Sequence, residues 1–197
     1  MNIKDKMSSF SKETLEKYIK VYDSALTDSE CNFILNEYSK SNEWSVGKIS
    51  NAEVDKNIRN CDMIGISYPD VINLNPKIRN QIDQTIFNAS NKIIKNYIEE
   101  FPYCKLTSDS GYDLLRYCEG QYLRTHTDSS KQNPRTISCS FNLNDGYEGG
   151  EFSFFNGEII VKLSKGSAIL FPSNFMYPHE ILDIKKGVRY SIITWFI

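Results

Sequence analysis

Two stretches decide the fold of this chain: Tyr122–Leu143, YLRTHTDSSKQNPRTISCSFNL, and Ser167–Ile197, SAILFPSNFMYPHEILDIKKGVRYSIITWFI. Each contains short runs of β-branched, aromatic and other apolar residues, separated by polar or glycine-containing turns, which is typical of antiparallel strands. Each also contains one of the two histidines of the chain, His126 and His179. The predicted strands and the candidate functional residues therefore lie in the same part of the sequence.

The first of these histidines begins the triplet His126-Thr127-Asp128. Residues i and i+2 of an extended strand face the same side, so His126 and Asp128 project an imidazole nitrogen and a carboxylate oxygen toward one point. His179, on another predicted strand, would supply a third donor. Two imidazoles and one carboxylate, with other positions left open, form the facial triad that binds non-haem iron(II). The sequence therefore predicts an iron site formed by His126, Asp128 and His179.

A second candidate pair, Arg189 and Ser191, lies two residues apart on the last predicted strand and so on one face of it. The planar guanidinium of arginine pairs bidentately with a carboxylate and stays charged at any working pH. The Ser191 hydroxyl can donate to the same carboxylate. We predict that this pair binds the far end of a dicarboxylate co-substrate.

Each of these signals is weak by itself. A His-x-Asp triplet occurs by chance in many chains, and a single histidine is usually a surface residue or a hydrogen-bonded core residue. The interpretation depends on the order of His-x-Asp, then His, then Arg-x-Ser, on segments that all have the pattern of strands.

Bulk composition sets broad limits on the class of protein. The chain has 197 residues, 40% of them hydrophobic, a formal net charge of −2 and five cysteines without a Cys-x-x-Cys spacing. We expect one domain, free thiols, and no partner among nucleic acids, because no excess of basic residues is present. The N-terminal sequence MNIKDKMSSFSKET lacks an apolar signal region, and no run approaches the roughly 18 apolar residues of a membrane span. We therefore expect a cytoplasmic protein without a membrane partner; the sequence indicates no oligomeric state.

The N-terminal part of the chain has a mixed pattern with two predicted helices. Thr27–Glu30 has the form of a capping box, which predicts a helix from there to about Ser39. Pro76 is typical of a first helical turn, and the apolar spacing after it predicts a second helix that ends before Pro102. Between the helices, Trp44–Tyr68 has the weak alternation of a strand-loop-strand excursion.

Short strands dominate the remaining sequence. The predicted strands are Tyr18–Tyr22, Asp113–Tyr117, Tyr122–Thr127, Thr136–Leu143, Gly150–Phe155, Glu158–Lys162, Ser167–Phe171, Met176–Ile181 and Arg189–Phe196. The last eight, joined by turns, predict a jelly roll. We therefore expect an α+β fold in a single domain, residues 1–197, with a mainly helical support and substrate-loop region at 1–110 and a jelly-roll core at 111–197.

Motifs spread from Tyr117 to Ile197 resemble the catalytic core of the 2-oxoglutarate- and iron(II)-dependent dioxygenases, and among these the prolyl 4-hydroxylase alpha-subunit-like family. The matching pieces are Tyr117-Cys-Glu-Gly120, His126-Thr-Asp128, Phe141-Asn-Leu-Asn144, Tyr147-Glu-Gly-Gly-Glu-Phe152, Lys165-Gly-Ser167, Leu170-Phe-Pro172, Pro178-His179-Glu180 and Gly187-Val-Arg-Tyr-Ser191. The order and spacing of these pieces carry the resemblance. The helical first half is similar, less specifically, to the supporting layer of the family.

This resemblance implies a double-stranded β-helix whose mouth holds Fe(II) on the three predicted ligands, which form the catalytic set together with Arg189. It implies 2-oxoglutarate as co-substrate and O2 as oxidant, with ascorbate as a further bound reductant. Arg189 would pair with the distal carboxylate of 2-oxoglutarate, assisted by Ser191. Tyr117 matches a family tyrosine that hydrogen-bonds the co-substrate.

The implied reaction is hydroxylation of an unactivated C–H bond, most simply on a prolyl residue of a peptide or protein. Collagen-type enzymes usually have lysine at the position of Arg189, and Asn142 stands where hypoxia-sensing enzymes have a second co-substrate tyrosine. Peptidyl lysine, a free amino acid or another small molecule therefore stay open as substrates. Residues 49–66 match a region that closes over substrate in the family; Arg59 within it is either a substrate contact or an exposed loop arginine.

Single positions in the sequence bear on whether the chain belongs to another class of protein. A nucleic-acid demethylase of the same superfamily often has a second arginine six residues after the first, where this chain has Trp195. A halogenase would have a small residue in place of Asp128. A cupin-type metal enzyme would not need Arg189 and Ser191. A non-enzymatic metal-binding jelly-roll module is the remaining alternative, although all candidate ligands are present.

Overall fold

Antiparallel strands dominate the computed structural model, which describes residues 14–39, 41–48, 53–67 and 75–197. Two helices lie wholly within the described residues, α1 (Asp28–Tyr38) and α2 (Pro76–Glu100). The strands are β1 (Lys20–Tyr22), β2 (Ser45–Val46), β3 (Arg59–Asn60), β4 (Asp62–Gly65), β5 (Asp113–Tyr117), β6 (Tyr122–His126), β7 (Ile137–Asn142), β8 (Glu148–Gly149), β9 (Phe152–Phe154), β10 (Ile159–Val161), β11 (Ala168–Pro172), β12 (His179–Ile181), β13 (Ile184–Lys186) and β14 (Arg189–Phe196).

These strands form a major and a minor sheet that pack face to face. The major sheet has the order β1-β11-β7-β14-β5-β4-β2, and the minor sheet has the order β10-β9-β12-β6-β3. A short ribbon pairs β13 with β8. Apolar residues of the two sheets meet in one cluster, for example Leu115 and Phe171 of the major sheet with Phe154 and Ile181 of the minor sheet. The predicted jelly-roll arrangement therefore forms between these sheets.

The major sheet has a different environment on each face. Along β14, Ile192 and Phe196 pack into a cluster with both helices. The alternate residues Arg189, Ser191 and Ile193 line a cavity between the sheets. Because side chains alternate along a strand, one strand contributes both to the helix-covered core and to the cavity.

Helix α1 begins where its capping box predicts. The Thr27 hydroxyl accepts a hydrogen bond from the Glu30 amide at 3.2 Å, and the Glu30 carboxylate accepts one from the Thr27 amide at 2.7 Å. These bonds satisfy two amides that the helix itself leaves without partners. The helix buries Cys31, Ile34 and Tyr38 against the major sheet cluster.

Helix α2 begins at Pro76 as predicted, after the Asn75 side chain accepts from the Lys77 amide at 2.9 Å. It ends at Glu100, before Pro102. Its buried residues recur at helical spacing and cover the major sheet: Ile82, Ile86, Ala89, Ser90, Ile93, Ile94 and Tyr97. None of the helices in the described part of the chain is long and apolar enough to cross a membrane.

Three predicted strands begin later than expected. The predicted strand Tyr18–Tyr22 begins only at Lys20. Gly149 and Gly150 both have positive φ angles, 82° and 71°, so the chain turns there and the predicted strand Gly150–Phe155 begins only at Phe152. The predicted strand Met176–Ile181 begins only at His179. The residues before it form a turn in which the Tyr177 amide donates to the Asn174 carbonyl at 3.0 Å.

The described residues of the predicted excursion Trp44–Tyr68 form three short strands. β2 and β4 pair with each other at the edge of the major sheet, and β3 is the edge strand of the minor sheet, where it pairs with β6. Residues 49–52 and Tyr68 lie outside the described residues. Strand β13 was not predicted from the sequence, because its three residues, IKK, have no recognisable alternation.

Gly166 connects the start of α1 to the sheet and supports a stability prediction. Its φ is +77°, its carbonyl accepts from the Leu26 amide at 2.9 Å, and an added Cβ would lie 2.3 Å from the Leu26 oxygen. Gly166→Ala should lower the free energy of unfolding by about 2–4 kcal/mol, since left-handed strain and overpacking add. Denaturant unfolding measures this loss.

Gly120→Ala is the matched control for this change. Gly120 has the same φ of +77°, but no atom lies within 4 Å of an added Cβ. We expect it to lose about 1 kcal/mol from backbone strain alone. Equal losses for the two variants would contradict the proposed clash with Leu26.

Candidate functional site

The cavity between the two sheets, called here the inter-sheet cavity, collects every site residue predicted from the sequence. Its polar lining residues are Arg59, Tyr117, His126, Asp128, Ser138, Ser140, His179, Arg189 and Ser191. These residues come from strands of both sheets and from the loop after β6. The fold thus brings together side chains that are distant in sequence.

At one end of the inter-sheet cavity, His126, Asp128 and His179 form a compact cluster. His126 and His179 are cross-strand partners on β6 and β12. The Asp128 carboxylate lies 3.2 Å from His126 Nε2 and 3.6 Å from His179 Nε2. One donor atom from each of the three residues lies within 4.8 Å of the others, so a single metal ion fits this cluster.

The orientation of both imidazole rings is set by the backbone. His126 Nδ1 lies 2.9 Å from the Arg124 carbonyl, and His179 Nδ1 lies 3.1 Å from the Tyr177 carbonyl. A carbonyl oxygen can only accept, so each Nδ1 carries a proton and Nε2 is the nitrogen of each ring that faces Asp128. Both Nε2 atoms and the carboxylate therefore converge on the point where a metal ion would bind.

Protonation states in this cluster suit metal binding. Burial among phenylalanine rings lowers the pKa of His179 to about 4, and the Phe171 ring is the nearest of these, 4.6 Å away between centroids. Burial by itself would raise the pKa of Asp128, but the two histidines and the Ser138 hydroxyl hold it well below its usual range. At neutral pH His179 is therefore neutral and Asp128 is ionised, the states in which these side chains bind metals.

Two serines that the sequence reasoning missed hold Asp128 in place. The Ser138 hydroxyl lies 2.6 Å from Asp128 Oδ2 and donates to it, while the Ser138 and Ser173 hydroxyls lie 2.8 Å apart. The available signal was a serine in the fully buried strand β7. Without the strand pairing, that signal does not say which group the serine contacts.

At the other end of the inter-sheet cavity lies Arg189, which is 2% exposed. Its Nη1 donates to the Ser191 hydroxyl at 3.2 Å, and its Nε has no hydrogen-bond partner in the described chain. None of the ion pairs within the described residues includes Arg189. Burying a guanidinium without a counter-charge is costly, so the site is suited to an anionic ligand.

Tyr117 lies beside this arginine as its cross-strand partner on β5. The Tyr117 ring centroid is 5.6 Å from the Arg189 guanidinium carbon. The hydroxyl is fully buried, lies beside the Cys61 thiol and has no oxygen or nitrogen partner in the described part of the chain. Burial raises the pKa of Tyr117, so its hydroxyl is a proton donor at any physiological pH.

Asn142 does not take over the role of the second co-substrate tyrosine whose position it occupies. Its amide nitrogen donates to the Asn144 and Leu163 carbonyls at 2.8 and 3.2 Å, and its amide oxygen accepts from the Tyr147 hydroxyl at 2.9 Å. These bonds use the polar atoms of the side chain within the protein. Asn142 therefore supports the adjacent loop.

Arg59 lies in the wall of the inter-sheet cavity and is not an exposed loop residue. Its Nη1 donates to the Lys48 carbonyl at 3.0 Å and its Nε lies 3.4 Å from the Cys61 sulfur. The remaining nitrogen, Nη2, is buried and has no partner within the described residues. Of the two interpretations of Arg59 from the sequence, the structure excludes the exposed one.

Comparison with solved structures identifies the fold class. A prolyl hydroxylase from Trichoplax adhaerens, in complex with a hypoxia inducible factor oxygen degradation domain peptide fragment, aligns over 100% of this chain and 94% of its own. The TM-score is 0.74 at 16% identity. A viral collagen prolyl hydroxylase from Paramecium Bursaria Chlorella virus-1, in its 2OG complex, aligns over 91% and 95% of the two chains with a TM-score of 0.65 at 20% identity. The predicted α+β fold with a double-stranded β-helix core is thereby confirmed.

Sequence comparison then shows which superfamily the C-terminal part of the chain resembles. Residues 112–197 match the family model of the 2OG-Fe(II) oxygenase superfamily. A PKHD-type hydroxylase from Idiomarina loihiensis is 33% identical over 88 residues, which are 42% of this chain and 39% of that protein. The chain thus matches about two fifths of the length of such a curated relative. The predicted resemblance to 2OG-Fe(II) oxygenases of the prolyl hydroxylase-like type is confirmed.

Proposed function

We propose that this protein is an Fe(II)- and 2-oxoglutarate-dependent dioxygenase that hydroxylates an unactivated C–H bond, with a prolyl residue of a peptide as substrate. One observation carries the proposal: the buried Arg189 guanidinium, without a counter-charge in the described chain, lines the same cavity as the His126, Asp128 and His179 cluster. A metal site and an anion site at opposite ends of one cavity suit a co-substrate with a keto-acid end and a distal carboxylate.

The metal end fits iron(II). His126, Asp128 and His179 would hold the ion through two Nε2 atoms and one carboxylate, which is the facial triad of non-haem iron oxygenases. Bound iron supplies the site at which dioxygen oxidatively decarboxylates 2-oxoglutarate to succinate and carbon dioxide, coupled to hydroxylation of the substrate. Ascorbate would serve as an external reductant.

The anion end fits the distal carboxylate of 2-oxoglutarate. Arg189 would pair with this carboxylate, and the Ser191 and Tyr117 hydroxyls would donate further hydrogen bonds to it. Both hydroxyls are buried, as is the guanidinium. Together these donors would fix the orientation of the co-substrate relative to the metal.

The proposed substrate rests on similarity to solved structures and on the environment of one residue, Arg59. The Trichoplax adhaerens and viral structures are prolyl hydroxylases, and the former contains a peptide. In this chain, Arg59 lines the inter-sheet cavity and its Nη2 has no partner in the described residues, which supports a role in holding a substrate oxygen. We therefore propose a peptidyl proline as the hydroxylated group.

Succinate formation tests this proposal even while the substrate is unidentified. Protein loaded with Fe(II) under anaerobic conditions is mixed with 2-oxoglutarate and then exposed to air, alone and with proline- or lysine-containing peptides. We expect succinate, with a higher rate in the presence of a proline peptide that gains one oxygen atom by mass spectrometry. Absence of both succinate formation and 2-oxoglutarate binding would refute the proposal. Oxygen gained by a lysine peptide alone would refute the prolyl substrate.

Ser138→Ala tests the metal end specifically. Loss of the hydrogen bond to Asp128 should weaken metal affinity by about 10–100-fold, as is typical when a ligand loses its supporting partner. The dissociation constant for Fe(II), measured anaerobically against a competing chelator, shows the change.

Ser153→Ala is the control for Ser138→Ala. Ser153 is also a buried serine that donates to a carboxylate, that of Glu180 at 3.1 Å, but it does not line the inter-sheet cavity. Metal affinity should stay within about twofold of the unmodified protein. Unchanged affinity in Ser138→Ala would contradict the role given to that serine.

A further inference from the structure

Ser140 is a buried polar residue of the inter-sheet cavity that the proposed function leaves without a role. It is 3% exposed, and its hydroxyl has no hydrogen-bond partner in the described residues. A buried hydroxyl without a partner costs free energy, typically about 1–3 kcal/mol. Since Ser140 also lines the cavity, a ligand there can supply the missing partner.

The strand register places Ser140 between the two ends of the cavity. On β7, Ser138 pairs opposite Trp195, Ser140 opposite Ile193 and Asn142 opposite Ser191. Ser138 contacts the Asp128 carboxylate, and Ser191 contacts the Arg189 guanidinium. Two residues along a strand span roughly 6.6–6.8 Å, so Ser140 lies one such step from each end.

Every neighbour of Ser140 in this register either already has a polar partner or is apolar. Ser138 is bonded to Asp128, and Asn142 is bonded within the protein. The cross-strand residues Ile169 and Ile193 are apolar. Along β7, Ser140 therefore lies between the serine that contacts Asp128 and the residue opposite Ser191, beside the path of a ligand that extends from the metal cluster to Arg189.

We propose that the Ser140 hydroxyl donates a hydrogen bond to bound 2-oxoglutarate at its keto-acid end. The inference rests on the proposed function. The distal carboxylate is taken by Arg189 and its neighbours, so the oxygens left for Ser140 belong to the keto-acid group. Ser140 thus acts as a positioning residue: it helps to fix the rotation of the keto-acid group next to the metal site.

Binding of 2-oxoglutarate to Zn(II)-loaded protein, followed by titration calorimetry, tests this role without turnover, because zinc has no redox chemistry. Ser140→Ala should weaken 2-oxoglutarate affinity about tenfold, as expected for one hydrogen bond to a charged acceptor. Without 2-oxoglutarate, the melting temperature of Ser140→Ala should be unchanged or higher, because a buried hydroxyl without a partner is removed. The increase in melting temperature on addition of 2-oxoglutarate should be smaller for Ser140→Ala than for the unmodified protein.

Thr194→Val is the matched control. Thr194 is fully buried and its hydroxyl also has no partner in the described chain, but it alternates with the cavity residues Ile193 and Trp195 and so faces away. Its affinity for 2-oxoglutarate should stay within about twofold of the unmodified protein.

Three results would overturn the inference about Ser140. If Ser140→Ala bound 2-oxoglutarate as tightly as the unmodified protein, the hydroxyl would not contact the co-substrate. An equal loss in Thr194→Val would assign the effect to the loss of any buried hydroxyl. Failure of the unmodified protein to bind 2-oxoglutarate would refute the proposed function and, with it, this contact.

Discussion

Asp128→Ala will leave a folded protein that forms no succinate from 2-oxoglutarate. Within the described residues, Asp128 is the only carboxylate in the cluster with His126 and His179, and its charge offsets the cost of placing a cation beside the surrounding apolar wall. Loss of a direct ligand should cost more metal affinity than the 10–100-fold typical of a supporting partner, so we expect at least about a hundredfold loss. Anaerobic Fe(II) titration and the succinate assay measure both effects.

Asp183→Ala controls for loss of an aspartate elsewhere. The Asp183 side chain is 50% exposed and pairs with Arg124 on the protein surface, where ion pairs contribute little. Metal affinity and succinate formation should be unchanged in this variant. Full activity of Asp128→Ala would show that Asp128 is not a metal ligand.

Arg189→Met will lose 2-oxoglutarate binding while its stability without ligand is maintained or increases. Truncating one member of a buried charge pair typically costs about 2–5 kcal/mol of binding free energy, so affinity should fall by at least about thirtyfold. Methionine fills most of the same volume without a charge. Removing a guanidinium that has no counter-charge in the described structure also removes a desolvation cost.

Calorimetric titration with 2-oxoglutarate and denaturant unfolding of the ligand-free protein measure the two effects separately. Arg124→Met is the control, since Arg124 is half exposed and paired with Asp183 outside the cavity. It should not change 2-oxoglutarate affinity. An unchanged affinity in Arg189→Met, or a large loss of stability without ligand, would contradict the role of Arg189 as the anion-binding residue.

Much of the fold was predictable because local signals determine it. Thr27 and Pro76 mark the starts of the two helices through a capping box and a first-turn proline. The alternating segments Asp113–Tyr117 and Arg189–Phe196 form strands with the predicted bounds. The errors lie where backbone turns override the apolar pattern, as at Gly149 and its neighbour.

The candidate site was predictable only in part, for a related reason. The chain has only two histidines, and one of them belongs to a His-x-Asp triplet, so order and spacing identify the candidate metal ligands. The fold then brings these three residues together. Serines are common, and both the contact of Ser138 with Asp128 and the position of Ser140 in the cavity wall depend on cross-strand register. That register is known only once β7 is paired with β14 and β11. The burial of Arg59 likewise follows from tertiary packing and not from its polar surroundings in sequence.

Because β3 lies at the edge of the minor sheet, the proposed substrate contact is separated in the fold from the residues proposed to carry out the reaction. The proposed iron and 2-oxoglutarate residues lie on or next to strands that are paired on both sides, whereas Arg59 lies on a two-residue strand that pairs on one side with β6. A short edge strand can shift or exchange side chains at little cost to the core. Selectivity for new substrates can therefore be engineered at residues 53–60 while the reaction chemistry is kept.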